Sequence, residues 1–178
     1  MSKLKKYVIT AMCITLCSVL PLILHMVPGA GNTVLPMHIP VLVCGLLLGG
    51  YFGFLAGLFG PMLSTFTTGM PMVAFLPAMM VELAVFGAVA GIMMRVVRTK
   101  NKYVNIYASL ITAMVIGRVL GGMARAFIFA PGTLTMYLWV YSYFISSLPG
   151  IIIQLILIPA IIIALEKAGV RPFVKFSR

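Results

Sequence analysis

The chain has 178 residues, of which 62% are hydrophobic and 8% charged, with a formal net charge of +11. A soluble domain of this size has too little interior to hide so much apolar surface, so lipid must solvate much of it. There is no Asp, the only acids are Glu82 and Glu166, and no polar stretch could form a separate soluble domain, so residues 1–178 read as one membrane domain.

In chain order, the apolar runs predict six helices that cross the bilayer, an all-α integral membrane bundle. Helix 1 covers 7–27 and ends at Pro28-Gly29-Ala30-Gly31-Asn32. Lys3, Lys5 and Lys6 precede it as in a secretory leader, but the run is long enough to span and no small-residue cleavage site follows, so it is expected to stay as a helix. A short helix 2 covers 37–48, and the Gly49-Gly50 turn leads into helix 3 over 51–66. After Thr67-Thr68-Gly69-Met70-Pro71 come helix 4 over 73–95, a basic loop, helix 5 over 104–129, and helix 6 over 138–165.

The positive charge could suggest nucleic acid, but its placement argues against that partner. Lys3, Lys5 and Lys6 form one cluster, Arg95, Arg98, Lys100 and Lys102 a second, and Lys167, Arg171, Lys175 and Arg178 a third, each flanking an apolar run. That is the positive-inside pattern, which orients helices and touches anionic lipid. It predicts both termini in the cytoplasm and the uncharged loops 28–36, 67–72 and 130–137 outside. Small residues recur every four positions, at Gly49, Gly53 and Gly57, at Gly87 and Gly91, and at Gly117 and Gly121, a spacing that lets helices approach closely in lipid. Cys13, Cys17 and Cys44 lie within apolar runs and read as buried thiols; Cys13 and Cys17 share one helix face, which is poor disulfide geometry.

Chemistry concentrates at a few polar positions. Glu82 and Arg118 lie within helices 4 and 5, both roughly 13–15 Å below the outer surface at about 1.5 Å per residue, so they can pair. An ionisable group in hydrocarbon faces a partner or a cavity. The pair therefore reads either as a structural lock between helices or as part of a ligand site. Arg125 is nearer the outside and either snorkels to headgroups or offers a guanidinium at the entrance. Two arginines against one glutamate favour an anionic ligand in the outer half. His38 marks the outer end of helix 2, as an interfacial histidine or a ligand group. Tyr137, Trp139, Tyr141 and Tyr143 suit an interfacial belt, from which Trp139 or Tyr141 can turn inward and stack on a planar ring. Asn32, Ser146 and Ser147 are further polar candidates, and deeper Gln154 is expected to bond between helices. The chain carries no P-loop, no H-E-x-x-H, no nucleophile elbow and no chain of intramembrane acids, which argues against an enzyme, an ATPase or a proton pump. No metal site or cofactor is expected.

The stretch Leu35-Pro36-Met37-His38-Ile39-Pro40-Val41, then Gly45-Leu46-Leu47-Leu48-Gly49, Gly53, Gly57, Gly60-Pro61, Ser64, Thr68-Gly69-Met70-Pro71, Glu82-Leu83-Ala84 and Gly87 resembles the substrate-binding (S) components of energy-coupling factor vitamin transporters. Size, six helices and cytoplasmic termini fit over nearly the whole chain. The resemblance implies capture of a vitamin at the cell membrane of a prokaryote. It also implies partners, a transmembrane coupling subunit and two ATPases, with ATP used by those ATPases and not by this chain. Family members often carry an A-x-x-x-A patch on helix 1 that packs on the coupling subunit; here Ala11 is followed by Thr15, still small. The chain looks most like niacin members, with pantothenate and riboflavin members also similar. The expected substrate-binding residues are Arg118, Glu82, Arg125, His38, Asn32, Trp139, Tyr141 and Ser146, with Ala11 and Thr15 as the coupling contact. An intramembrane scaffold or lipid-binding protein with no transport role is the reading of another class.

Overall fold

The computed structural model describes residues 2–25, 35–97, 99–129 and 147–170, and these residues are helical with short connections and no strand. The elements are α1 (Lys3–His25), α2 (His38–Leu48), α3 (Gly50–Thr68), a 3-10 turn (Val73–Phe75), α4 (Leu76–Val96), α5 (Lys102–Phe129) and α6 (Leu148–Lys167). Four helical stretches are long and apolar enough to cross a membrane: Lys3–Leu24, Val73–Val96, Lys102–Arg125 and Leu148–Lys167. α3 has 19 residues, about 28 Å of helix, but Gly50, Gly53, Gly57 and Gly60 and its hydroxyl residues make it less apolar.

α2 is different in kind. It has 11 residues, about 16 Å, too short for a hydrocarbon core of about 30 Å. Every one of its residues is buried, and Leu42, Leu46, Leu47 and Leu48 join Phe86, Met94, Ile106, Leu110, Ile158 and Ile162 in the main core. α2 packs chiefly on α4 and α3, and also on α1 and α6. An unbroken apolar sequence fits this position, because no face of the helix meets water. Lipid is met instead by side chains such as Val8, Met12 and Ile23 on α1, Ile111 and Val115 on α5, and Ile152 and Ile156 on α6, all of which are exposed on the protein surface.

Glycines set the closeness of the central helices. At Gly49 the backbone takes φ 100°, open to glycine at little cost, and the chain turns from α2 directly into α3. Gly45, Gly53 and Gly87 then meet where α2, α3 and α4 converge, and a Cβ at Gly53 or Gly87 would overlap the other's carbonyl. Gly91 lies against Gly49 and Gly50 in the same way, and Gly57 against the backbone of Leu83. The four-residue spacing in the sequence is thus a contact surface.

The described members of the basic clusters gather at one end of the bundle. Lys6 sits 5.7 Å from the Phe52 ring near the start of α3, and the start of α3 abuts Gly91 near the end of α4 and Arg95. Lys102 at the start of α5 pairs with Glu166 at the end of α6, at 3.3 Å. The connecting loop is held by Asn105, whose side-chain amide donates to the Thr99 carbonyl and whose carbonyl oxygen accepts from the Thr99 backbone and hydroxyl. At the opposite end, Ser64 donates to the Met70 carbonyl at 2.7 Å and Thr65 to that of Pro71 at 3.1 Å, and Gly69 ends α3 in the left-handed conformation.

One expected boundary moves: helix 4 begins at Leu76, because residues 73–75 form a separate 3-10 turn. The described part of helix 6 runs from Leu148; Ser147 is its N-cap, and Pro149 sits in the first turn, where a missing N–H costs no helical hydrogen bond. Residues 138–146 lie outside the described residues. Cys13, Cys17 and Cys44 are free and buried, as expected; Cys17 Sγ donates to the Met37 carbonyl at 3.7 Å.

Candidate functional site

The polar positions within the bundle come from four helices. His38 is the first residue of α2, and because that helix is short it lies only about 16 Å from the turn at Gly49. It is 3% exposed, so of the two readings of this histidine at the outer end of the helix the exposed, interfacial one does not fit. Glu82 on α4 is six residues past the helix start at Leu76, about 9 Å, which brings it level with His38. Glu82 Oε1 lies 3.6 Å from His38 Nε2. The His38 ring meets Phe86, one turn after Glu82, edge to face with centroids 4.9 Å apart.

α5 closes against this pair through its glycines. A Cβ at Gly117 would lie 2.7 Å from the Phe86 ring, and one at Gly121 would lie 2.6 Å from the Glu82 side chain. Arg118 follows Gly117 and is 3% exposed. Its guanidinium donates to Ser147 Oγ at 2.6 Å. Among the described residues, Glu82 pairs with His38 and not with Arg118, a correction to the helix 4–helix 5 ion pair expected from matched depths. Gln154 on α6 is fully buried, and its amide donates across to the Leu35 carbonyl just ahead of α2, a long bond of 3.5 Å. The expected bond between helices is thus a bond from α6 to the segment ahead of α2.

Arg125 stands apart: it is exposed, and its guanidinium lies 5.0 Å from the Phe75 ring in the 3-10 turn. This cation–π seat suits a residue at the rim. Asn32, Trp139, Tyr141 and Ser146 lie outside the described residues. Ala11 and Thr15 are both exposed on α1, on the opposite side from buried Cys13 and Cys17. An open groove of about 360 Å³ between α3 and α4 is lined by Phe54, Leu58, Pro77, Met80, Val81, Ala84 and Val85 and contains none of the polar candidates. Among the described residues no group of three or more His, Cys, Asp or Glu is placed to hold a metal ion.

Sequence reasoning did not foresee Phe86 beside His38, or the bond from Arg118 to Ser147. The first signal was available: Phe86 is four residues after Glu82 and so shares its helix face.

The sequence matches the family model of the ECF transporter, substrate-specific component, over residues 5–163. The chain belongs to this family. No curated protein and no solved structure matches it significantly. As an S component the chain is the substrate-binding subunit of an ECF transporter, a multi-pass membrane protein and not an enzyme. The matched region of the S component runs from the first turn of α1 through most of α6 and so contains Ala11, Thr15, His38, Glu82, Arg118 and Ser147.

Proposed function

We propose that this S component captures a small anionic vitamin, nicotinate, for an importer of a prokaryotic cell membrane. The observation that carries this reading is the meeting of Arg118 with Ser147. A buried guanidinium reaches the N-cap of α6, so a fixed cation and the positive end of a 20-residue helix point at one place. Both attract a carboxylate, and a buried guanidinium binds one with charge-assisted hydrogen bonds. Pantothenate also carries a carboxylate; riboflavin does not, and the cationic site favours the acids. In this reading Arg125 assists entry at the rim, while Asn32, Ser146 and an aromatic ring from Trp139 or Tyr141 complete the outer wall. The reading is tested by equilibrium binding to purified protein, in which nicotinate binds and its neutral amide competes only weakly. Equal competition by the amide would remove the charge argument.

Six crossings with both termini in the cytoplasm fit the gathering of the basic clusters at one end. α3 would then cross alongside the four strongly apolar stretches, and α2 would be a crossing helix shortened by its place in the core. Cysteines introduced at Asn32, Gly69 and Thr133 are expected to react with an impermeant thiol reagent from outside, and those at Asn101 and Ser177 are not. The reverse pattern would invert the site.

Partners are a transmembrane coupling subunit and two ATPases, met through α1. The Thr15 hydroxyl donates to the Ala11 carbonyl at 3.0 Å. Its polar group is thus tied back to its own helix, and what the surface presents is small and apolar. Thr15 can therefore serve where alanine would. Replacing Ala11 or Thr15 by Trp should prevent close helix approach. The expected result is loss of copurified coupling and ATPase subunits with ligand affinity unchanged. Intact copurification would assign the docking face elsewhere.

A further inference from the structure

His38 is held in an unusual state. Both ring nitrogens are buried, and neither makes a hydrogen bond. Glu82 lies 3.6 Å from Nε2, a charge contact longer than a hydrogen bond. Buried polar groups are bonded as a rule, and an unsatisfied one calls for an explanation. Slack packing does not supply it. The imidazole is edge-on to Phe86, whose ring is fixed from the other side by Gly117, and the Glu82 stem is fixed by Gly121. The pair is rigidly presented with its hydrogen-bonding capacity unspent.

An imidazole always carries at least one N–H. Neither nitrogen of His38 is bonded within the protein, and Glu82, 3.6 Å from Nε2, is beyond hydrogen-bond distance, so that N–H is left for an acceptor on a ligand.

We infer that His38 is the group that recognises an acceptor nitrogen on the ring of the bound acid, and that Glu82 is a positioning residue acting through His38. This rests on the carboxylate lying at Arg118. The ligand class it selects is a planar heteroaromatic carboxylate with its anion at Arg118 and Ser147 and its ring nitrogen at His38. The orientation of the imidazole is set by the carboxylate on its other side, as in other paired carboxylate–histidine sites.

The test compares nicotinate with benzoate, which has the same shape and charge but no ring nitrogen, by calorimetry on the purified full-length protein. The wild type should bind nicotinate about tenfold or more tightly than benzoate, the scale of one hydrogen bond. His38→Leu should bring nicotinate down to the benzoate level, while His38→Gln, which keeps a donor, retains part of the preference. Glu82→Gln, nearly isosteric, should also reduce the preference and serves if His38→Leu does not fold. A wild type that binds both acids equally overturns the inference, as do variants that weaken both acids in parallel, which a purely structural pair would do. A wild type that binds neither acid overturns the nicotinate reading itself and this inference with it.

Discussion

Replacing Arg118 by Ala should weaken nicotinate binding by at least about 30-fold, the lower end of what truncating one side of a buried, hydrogen-bonded charge pair costs, about 2–5 kcal/mol. The neutral amide should change little, because it never engaged the charge. The structure makes the two possible roles of this arginine separable. It is buried and bonded to Ser147 at the N-cap of α6, so it braces α5 against α6 as well as offering its charge. A bracing role alone predicts a lower melting temperature and a parallel loss for acid and amide. A ligand role predicts a change in their ratio. Arg118→Lys is an informative companion: it keeps the charge but loses the planar fork, so it should recover part of the affinity. Isothermal titration with nicotinate and nicotinamide, paired with a thermal melt of the unliganded variants, reads both quantities.

Gly87→Ala should be strongly damaging to stability for so small a substitution. A methyl group there would overlap the Gly53 carbonyl and lie 2.9 Å from its Cα, and the obstacle is backbone, which cannot rotate aside as a side chain can. Overpacking of this kind costs about 1–3 kcal/mol and sometimes more. At about 2–4 °C per kcal/mol for a chain of this size, the top of that range lowers the melting temperature by about 6–12 °C. The effect should reach function, because Gly87 is one residue from Phe86 and one turn from Leu83 and Glu82, and moving α4 off α3 moves the His38–Glu82 pair. Val115→Ala, on the exposed face of α5, should shift the melting temperature by little. Equal shifts for the two variants would show that the glycine seam is not what holds α2, α3 and α4 together.

Much of this architecture is legible in the sequence, and the reasons it is not all legible are specific. Helix runs with basic flanks mark α1, α4, α5 and α6, because lipid imposes a hydropathy signal that needs no tertiary context. The glycine spacing predicts close contacts, and Gly53, Gly87 and Gly91 make them. Gln154 bonds between segments as its polarity in an apolar run demands. What periodicity does not reveal is that α2 is enclosed on every side, since an apolar helix in lipid and one in protein have the same composition. For that reason the burial of His38 against Glu82 was not legible, and its interfacial and ligand readings stayed open. The pair of Glu82 with Arg118 that matched depths allowed is not formed, because depth along a helix does not say which neighbour a side chain turns to: Glu82 meets His38, and Arg118 bonds Ser147. At α6 the proline in the first turn, not hydropathy, marks the start of the described helix at Leu148, and the expected start at 138 lies outside the described residues.

The account stands most directly on what the protein carries out of the membrane. Purified without added vitamin and then denatured, it should release nicotinate, or at the least a small heteroaromatic carboxylate, identifiable by mass spectrometry and absent from a parallel preparation of Arg118→Ala. Release of a neutral vitamin such as riboflavin, undiminished in that variant, would contradict the assignment of Arg118 as the anion site.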